Sequence, residues 1–451
     1  MELRQATTFR ERISSIDVLR GFALLGILVL NINDFSGPEA LHSIPFEAEF
    51  SGPHGSLNLV LFFLKWLVFE GKMRGIFSML FGVGVILMTQ RADKRGESAG
   101  VADVYLRRNL LLVAIGLVHS IFLWHGDILF DYGFWGLLLL YPARKLSARA
   151  LIILGVVVAL VLGTLAAMTA TQMFQNVATS DQVTEIETRV AAGHPATEVE
   201  AKVVKDWQDK RAKVHGTAQG IKDSIAAHYH PYWQDVGSRA SVFSTGPFAR
   251  AHLLMSGDVV GAMLIGMGLM KLGFFSAELS YGVYGLVAWI GFAISLPLCL
   301  VGLIKFTQSG YELITADLWL FLPYGMVRVA GMLAIAAVIM IVVKRGVGRA
   351  AQNGLAAVGR TALSNYLLTT IVCQFVFAWG PWKLYGALAY YEVGYVVLGV
   401  WALNLVASVV WLRFFEFGPV EWLWRSLTYG KLQSSRGRRA IAASTDIAPA
   451  T

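Results

Sequence analysis

The sequence predicts an all-α protein, a polytopic transmembrane helix bundle of about ten spans with a small helical extracytoplasmic insertion. Of its 451 residues, 56% are hydrophobic and 15% are charged, whereas soluble domains average about 45–50% apolar and about 25% charged residues. Apolar runs of about twenty residues recur along the chain, and a helix of that length crosses about 30 Å of hydrocarbon. Composition and run length together exclude an ordinary soluble enzyme.

The apolar runs place predicted spans along nearly the whole chain. They cover residues 16–33, 57–90, 109–124, 128–143, 150–170, 250–272, 281–303, 320–343, 361–380 and 393–412. Lys and Arg concentrate in cytoplasmic loops, and with ten spans the basic clusters at 91–108, 144–149 and 344–360 fall on one side, together with both termini. We therefore expect a multi-pass membrane protein whose N- and C-termini are cytoplasmic.

The run at 57–90 fits this alternation only if it crosses the membrane once. Two crossings would put the basic loop 91–108 outside. We predict that the first half is an interfacial or re-entrant helix, broken at "GKMRG", and that the second half spans. Lys72 and Arg74 would then lie at or within the membrane, where ionisable side chains mark functional sites. The alternative is a short cytoplasmic turn between two spans.

One long polar segment interrupts the apolar runs. Residues 171–246 have the spacing of solvated helices, and the topology places them outside the membrane. They separate an N-terminal transmembrane half, 1–170, from a C-terminal half, 247–431, which ends in a cytoplasmic tail, 432–451. The net charge of +8 reflects basic loops beside a membrane rather than a nucleic-acid surface.

Two further features indicate packing rather than chemistry. Cys299 and Cys373 both fall inside apolar runs, so neither a disulfide framework nor a metal site is expected. The glycine-rich stretch "SGDVVGAMLIGMG" has the small-residue spacing that lets transmembrane helices approach closely.

The first span, "IDVLRGFALLGILVLNI", carries three polar residues on one face. Arg20 and Asn31 are eleven residues apart, about three helical turns, and Asp17 is one turn before Arg20 and able to pair with it. One interpretation is a polar site that crosses the helix from end to end. The other is that all three lie at the membrane boundaries, with Arg20 reaching the headgroups.

The third span repeats this spacing. Arg108 and His119 are also eleven residues apart, and His119 is followed by His125, Asp127 and Asp131. A histidine facing the bundle interior is a candidate general base, because it titrates near neutrality and a carboxylate such as Asp127 can orient it. Helix packing through a hydrogen-bonded histidine is the alternative.

Several blocks of sequence resemble the YeiB-like family of bacterial membrane proteins (domain of unknown function 418). These blocks are "RISSIDVLRGFALLGILVLNI", "GKMRGIFSMLFG", "RRNLLLVAIGLVHSIFLWHGDIL", "GRTALSNYLLTT" and "FGPVEWLWRSLTYGK". They follow the family's order from about residue 12 to residue 431. The resemblance implies a multi-pass protein of the bacterial cytoplasmic (inner) membrane.

The first helix is also similar to those of two groups of membrane acyltransferases, the heparan-α-glucosaminide N-acetyltransferases and the acyltransferase-three family. Both have an acidic residue, an arginine three residues later, and a polar residue eleven further on, which here is Asn31. In the second group that residue is a catalytic histidine. In the heparan enzymes it is asparagine, and the catalytic histidine follows eleven residues later, where this sequence has His42. The base is therefore either His119 or His42.

This similarity implies an enzyme that moves an acyl group, acetyl above all, from cytoplasmic acyl-CoA to an extracytoplasmic sugar- or lipid-linked acceptor. The histidine would deprotonate the acceptor, Asn31 would donate a hydrogen bond to the oxyanion, and Asp127 would orient His119. The residues assigned to the acyl-CoA site are Asp17, Arg20, Lys72, Arg74, Arg107 and Arg108. The expected partners are membrane lipid and a small-molecule or glycan acceptor, with no metal.

The competing interpretation is a transporter or lipid-handling protein for an anionic small molecule. Intramembrane Lys72, Asp258 and Arg328 favour it, because charged side chains within spans commonly mark substrate pathways.

Overall fold

The computed structural model describes residues 14–38, 52, 54–94, 100–170, 172–215, 218–229, 231–244 and 256–435. These residues form helices joined by short turns. The first half contains α1 (Ser14–Ser36), α2 (Gly55–Leu64), α3 (Lys72–Lys94), α4 (Val101–Val118), α5 (Leu129–Trp135) and α6 (Ala148–Ala170). The polar segment contains α7 (Met173–Ala191), α8 (Glu198–His215), α9 (Ala218–His228) and α10 (Tyr232–Ser244).

The second half has the same all-helical character. It contains α11 (Gly257–Lys271), α12 (Tyr281–Gln308), α13 (Leu313–Ala316), α14 (Tyr324–Arg345), α15 (Arg349–Arg360), α16 (Ala362–Gln374), α17 (Tyr390–Phe414) and α18 (Pro419–Tyr429). The prediction of an all-α polytopic bundle is confirmed.

Eight helices in the described residues are long and apolar enough to cross a membrane. They are Ser14–Ser36, Gly55–Ala92, Val101–Leu123, Ala148–Leu165, Tyr281–Gln308, Tyr324–Arg345, Ala362–Trp379 and Tyr390–Phe414. The other two predicted spans are shorter. The helical stretch 129–143 and α11 both have 15 residues, about 22 Å of helix, so neither reaches across 30 Å of hydrocarbon alone.

Helix α11 lies at the centre of the bundle, buried along almost its full length. Its glycines bring it into backbone contact with two neighbours. A Cβ on Gly266 would lie 2.0 Å from the carbonyl oxygen of Met79 in α3, and one on Gly261 would lie 2.6 Å from the Gly155 carbonyl oxygen in α6. The packing role predicted for the glycine-rich stretch is confirmed.

The chain breaks between α2 and α3, as "GKMRG" predicts. Helix α2 continues through a π-helical turn, Lys65–Phe69, and stops at Gly71, which has φ of 68°. Glycine adopts this left-handed conformation without steric cost, and a Cβ there would lie 2.8 Å from the Tyr324 hydroxyl. The break leaves Lys72 buried, 1% exposed, at the first position of α3.

The two ends of the α2–α3 segment lie at opposite ends of the bundle. Near its start, the Asn58 side-chain oxygen accepts a hydrogen bond of 3.1 Å from the Tyr391 backbone N–H at the start of α17. The chain just before α17 contacts the end of α1, because the Gly386 N–H donates to the Ser36 carbonyl over 2.7 Å. Near the other end of the segment, Arg91 lines a cavity beside the start of α1. This placement is what a single crossing requires.

Helices α7 to α10 contact the bundle at the end opposite the start of α1. Arg239 donates to the Ile121 carbonyl over 2.9 Å, and the Tyr232 hydroxyl donates to the Phe122 carbonyl over 2.8 Å. Residues 121 and 122 end the helix that begins as α4. The segment is therefore helical and covers one end of the bundle, and its extracytoplasmic location stays a prediction.

Candidate functional site

Helices α1 and α15 cross in direct backbone contact at two glycines. A Cβ on Gly21 would lie 1.9 Å from the Leu355 carbonyl oxygen, and a Cβ on Gly359 would lie 1.9 Å from the Asp17 carbonyl oxygen. Because the two helices are so close, Arg20 contacts both of them. Its Nη1 donates to Asp17 Oδ1 over 2.9 Å and to the Gly359 carbonyl over 3.3 Å. The predicted Asp17–Arg20 pair is therefore present, and it is fixed to a second helix.

A cavity of about 260 Å³ opens beside this crossing, and we call it the arginine cavity. Its charged lining residues are Asp17, Arg20, Arg91, Arg108, Arg360, Glu421 and Arg425. Five arginines against two carboxylates leave an excess of three positive charges. Four of the five arginines belong to the basic segments that the charge pattern assigns to the cytoplasm, and Arg20 lies near the start of the first span. The cavity is suited to an anionic ligand.

Of the two arginines predicted for the acyl-CoA site at the start of the third span, only one lines the arginine cavity. Arg108 lines the arginine cavity, with its guanidinium carbon 4.2 Å from the ring centroid of Trp424. Arg107 is exposed and donates to the Thr428 carbonyl over 3.2 Å, and it does not line the cavity. Consecutive helix residues point about 100° apart, so only one of the two can face the interior.

Glu421 closes another side of the arginine cavity. Its carboxylate accepts hydrogen bonds from the backbone N–H groups of Leu363 (2.6 Å) and Ser364 (3.2 Å), and the Ser364 hydroxyl donates to it over 2.5 Å. These groups belong to the first turn of α16, where backbone N–H groups lack helical partners. Burial raises the pKa of Glu421 above its ordinary value.

Two buried tyrosines, Tyr132 and Tyr366, also line the arginine cavity. The ring centroid of Tyr366 lies 5.0 Å from that of His119, and its hydroxyl lies beside the Asp127 carboxylate. His119 is at the start of a π-helical turn, His119–Leu123, a distortion frequent at functional sites. Tyr366 therefore lines the cavity and also contacts His119.

His119 contacts two side chains through its two ring nitrogens. Nδ1 lies 2.9 Å from Asp127 Oδ1, and Nε2 lies 3.0 Å from the Thr370 hydroxyl oxygen. The His119 and Asp127 side chains are 1% and 2% exposed. The other carboxylate oxygen, Asp127 Oδ2, accepts a hydrogen bond of 2.7 Å from the Phe130 N–H at the start of α5. A carboxylate and a hydroxyl therefore lie at the two ring nitrogens of one buried imidazole.

The other predicted catalytic residues are placed differently. Asn31 is half-buried on α1, and among the described residues it neither lines the arginine cavity nor meets the His119 ring nitrogens, which face Asp127 and Thr370. His42 lies outside the described residues. The choice between His119 and His42 therefore stays open.

Lys72 and Arg74 do not line the arginine cavity, and their assignment to an acyl-CoA site stays a prediction. Lys72 donates from Nζ to the Trp66 carbonyl over 2.8 Å, and Arg74 Nη2 lies 2.8 Å from Asp258 Oδ2. The break at Gly71 explains the difference, because it starts α3 inside the bundle rather than at the cavity end.

Sequence reasoning missed three residues that the structure brings to this site: Tyr366, Thr370 and Glu421. Tyr366 and Thr370 are one turn apart on α16 and share a face. Both fall in "GRTALSNYLLTT", so a search for polar residues at helical spacing within that block would have found them. Within the described residues, no group of three or more His, Cys, Asp or Glu side chains is arranged to hold a metal ion.

Comparison with known proteins shows which proteins the chain is similar to. Residues 269–431 match the family model described as "Protein of unknown function (DUF418)". The chain is 28% identical to YeiB of Escherichia coli over 93% of its own length and 96% of that protein, and 27% identical to YxaH of Bacillus subtilis over 95% and 97%. Both relatives are described as uncharacterized. The chain is therefore similar to the YeiB-like proteins over nearly its whole length, and its C-terminal part matches the DUF418 family model. No solved structure matches it.

The arginine cavity gathers the blocks on which the YeiB-like resemblance rests. The first block supplies Arg20, the second Phe77, the third Arg108, the fourth Tyr366 and the fifth Glu421. Blocks that are hundreds of residues apart in the sequence thus meet around one cavity. The family model covers only the last two of these residues, because it begins at residue 269.

Proposed function

We propose that this protein is a membrane-embedded acyltransferase that moves an acyl group, acetyl above all, from cytoplasmic acyl-CoA to an extracytoplasmic sugar- or lipid-linked acceptor. One observation carries the proposal: a cavity with five arginines is also lined by Tyr366, whose ring packs against a buried histidine that lies beside a carboxylate. The arginines are suited to the phosphates of CoA, and the histidine to acceptor activation.

The dimensions suit a ligand with an anionic head and a long arm. Arg108 and His119 are eleven residues apart on one helix, so about 16 Å separates them along the axis. In the proposed complex the phosphates lie among Arg20, Arg108 and their neighbours, and the arm extends past Tyr132 towards Tyr366. The thioester would then lie next to the His119–Asp127 pair.

The proposed chemistry needs one base and one hydrogen-bond donor. The acceptor hydroxyl or amine takes the position of Thr370 Oγ1 at His119 Nε2, transfers its proton to the imidazole and attacks the thioester carbonyl. Asp127 stabilises the resulting imidazolium, which returns the proton to the departing CoA thiolate. We assign the oxyanion hydrogen bond to the Tyr366 hydroxyl rather than to Asn31, because Tyr366 lines the cavity.

The proposal is tested with purified protein and radiolabelled acetyl-CoA, without and with cell-envelope extract. We expect thioester hydrolysis, or transfer of label to an extract component, both dependent on His119. Absence of both in protein that binds acetyl-CoA would count against the enzyme.

A second candidate function is transport of an anionic small molecule. The observation that favours it is a pair of arginines, Arg74 and Arg328, on the single carboxylate of Asp258 inside the bundle. Counterflow of a solute in proteoliposomes, with no acyl-CoA turnover, would support this function instead.

A further inference from the structure

Three helices bring charged side chains together in the bundle interior, apart from the arginine cavity. Arg74 of α3 and Arg328 of α14 both pair with Asp258 in the first turn of α11, and both guanidinium groups approach the same oxygen, Oδ2. The Arg74 distance is 2.8 Å. We call these three residues the Asp258 cluster.

The Asp258 cluster carries more positive than negative charge. Two guanidinium groups share one carboxylate, and the nearby Lys72 ammonium donates hydrogen bonds to the backbone carbonyls of Trp66 and Glu70. The Glu70 carboxylate accepts a hydrogen bond of 2.9 Å from the Tyr324 hydroxyl. Three cations therefore face two carboxylates. An uncompensated charge inside a membrane protein is costly, and such charges mark binding sites or pathways.

The two arginines of the cluster differ in accessibility. The Arg74 side chain is 42% exposed, whereas Arg328 and Asp258 are each 5% exposed. Arg328 can therefore keep Asp258 paired in the interior while Arg74 turns its remaining N–H donors to a ligand. A guanidinium presents five donors in a planar fork that matches carboxylate and phosphate.

A thin wall separates the Asp258 cluster from the arginine cavity. The Ser78 hydroxyl donates to the Arg74 carbonyl over 2.8 Å and lies 2.7 Å from the hydroxyl of Tyr132, which lines the cavity. The cluster and the arginine cavity lie towards opposite ends of α11. Asp258 is in the first turn of that helix. Shortly after its last turn, the Phe275 carbonyl accepts a hydrogen bond from the Ser15 hydroxyl at the start of α1, where the cavity lies.

We propose that the Asp258 cluster is a second anion-binding site, in which Arg74, backed by Arg328, binds one carboxylate or phosphate group of the acceptor. The assignment to the acceptor rests on the proposed acyltransferase function, whereas the binding of an anion does not. In this proposal the acceptor is an anionic molecule that approaches from the end of the bundle covered by α7 to α10. It meets the acyl group near Tyr132, which separates the Asp258 cluster from the arginine cavity.

The test measures inorganic phosphate binding to the full-length protein in detergent, as a phosphate-dependent rise in melting temperature at constant ionic strength. All variants carry Arg20→Gln, so that binding in the arginine cavity is weakened equally. We expect Arg74→Gln to weaken phosphate binding about tenfold or more, the effect of losing one charge-assisted hydrogen bond. Asp258→Asn should strengthen it, because it frees both arginines. Arg413→Gln, an exposed residue at the end of α17, should leave it unchanged.

The opposite effects of Arg74→Gln and Asp258→Asn on phosphate affinity distinguish an anion-binding site from a structural ion pair. A purely structural ion pair predicts that Arg74→Gln and Asp258→Asn both lower the melting temperature and that neither changes phosphate affinity, and this result would overturn the proposal. If Arg74→Gln does not fold, Arg74→Lys is used instead. This variant keeps the positive charge but loses the planar set of guanidinium donors, so we expect its phosphate affinity to be severalfold weaker. The assay needs no turnover, so its result holds even if acyl transfer is disproved.

A second arm identifies the source of the anion. The same measurement is made in nanodiscs of phosphatidylcholine with and without phosphatidylglycerol. Weaker phosphate binding beside the anionic lipid assigns the site to a lipid headgroup, and equal binding assigns it to a water-soluble anion. Phosphate binding that is insensitive to Arg74→Gln in both membranes would again overturn the site.

Discussion

His119 Nδ1 lies 2.9 Å from Asp127 Oδ1, although the two residues are on opposite sides of a helix end. The π-helical turn after Val118 and the bend that follows reverse the direction of the chain. Asp127 therefore faces the His119 ring and also accepts a hydrogen bond from the Phe130 N–H. The same carboxylate thus lies beside the imidazole and accepts a hydrogen bond from the first turn of the next helix. The catalytic predictions depend on this pair.

We expect His119→Ala to abolish acyl transfer while acyl-CoA still binds, because a general base contributes roughly 10²–10⁴-fold in rate. His42→Ala should reduce transfer by less than about tenfold. Turnover and binding are measured on the same preparations, and Asp127→Asn should lower turnover through the wrong tautomer. If His42→Ala is inactive and His119→Ala works, the chemistry is in the outer loop. Normal turnover by both variants would remove the mechanism.

Replacing Arg20 by Ala should weaken acyl-CoA binding about tenfold or more, because a charge-assisted contact to phosphate is lost. The change also leaves Asp17 without this partner and removes the contact to the Gly359 carbonyl. Asp17→Asn combined with Arg20→Ala controls for that effect. Unchanged acyl-CoA affinity in well-folded protein would exclude Arg20 from the site.

Cysteine labelling should reveal the sides of the membrane. A cysteine introduced near residue 210, in α8, should react with an impermeant reagent from outside intact cells. Cysteines near residues 97 and 440 should react only after the cells are opened. Labelling of position 97 from outside would show that 57–90 crosses twice, and the side assignments that follow would fail.

Gly21→Ala should destabilise the protein by about 1–3 kcal/mol, because its methyl group would lie 1.9 Å from the Leu355 carbonyl and force α1 from α15. Gly399→Ala in α17 is the matched control, since nothing lies within 4 Å of a Cβ there. The control should be neutral or slightly stabilising. Melting temperatures in detergent measure both, and equal values would contradict the close crossing.

Glu421 should make stability depend on pH. Burial raises its pKa in the folded protein above the ordinary value of 4.5, so the folded state holds this proton to a higher pH than the unfolded chain. Its contribution is complete below the ordinary pKa and is lost as the pH rises through the raised value. The melting temperature of the wild type should therefore fall, relative to Glu421→Gln, as the pH rises from about 4.5. A constant difference would contradict this sign.

Much of the local structure follows from the sequence alone. The break at "GKMRG" is encoded by glycine, the pairing of Asp17 with Arg20 by their spacing of three, and the close packing of α11 by its glycines. Each depends on neighbours in sequence or on helical periodicity, which a single chain displays. The eight long apolar helices follow from length and composition in the same way.

The sequence by itself determined the helices and which residues share a face of each helix, and only the tertiary structure decided which of those faces meet. Arg20 contacts Gly359, His119 contacts Thr370, and Arg74 turns away from the cavity to Asp258. Periodicity fixes the direction of a side chain but not the helix opposite it. Between helices in lipid, that choice is made by the fit of small residues and buried polar groups, such as the glycine crossing that positions Arg20.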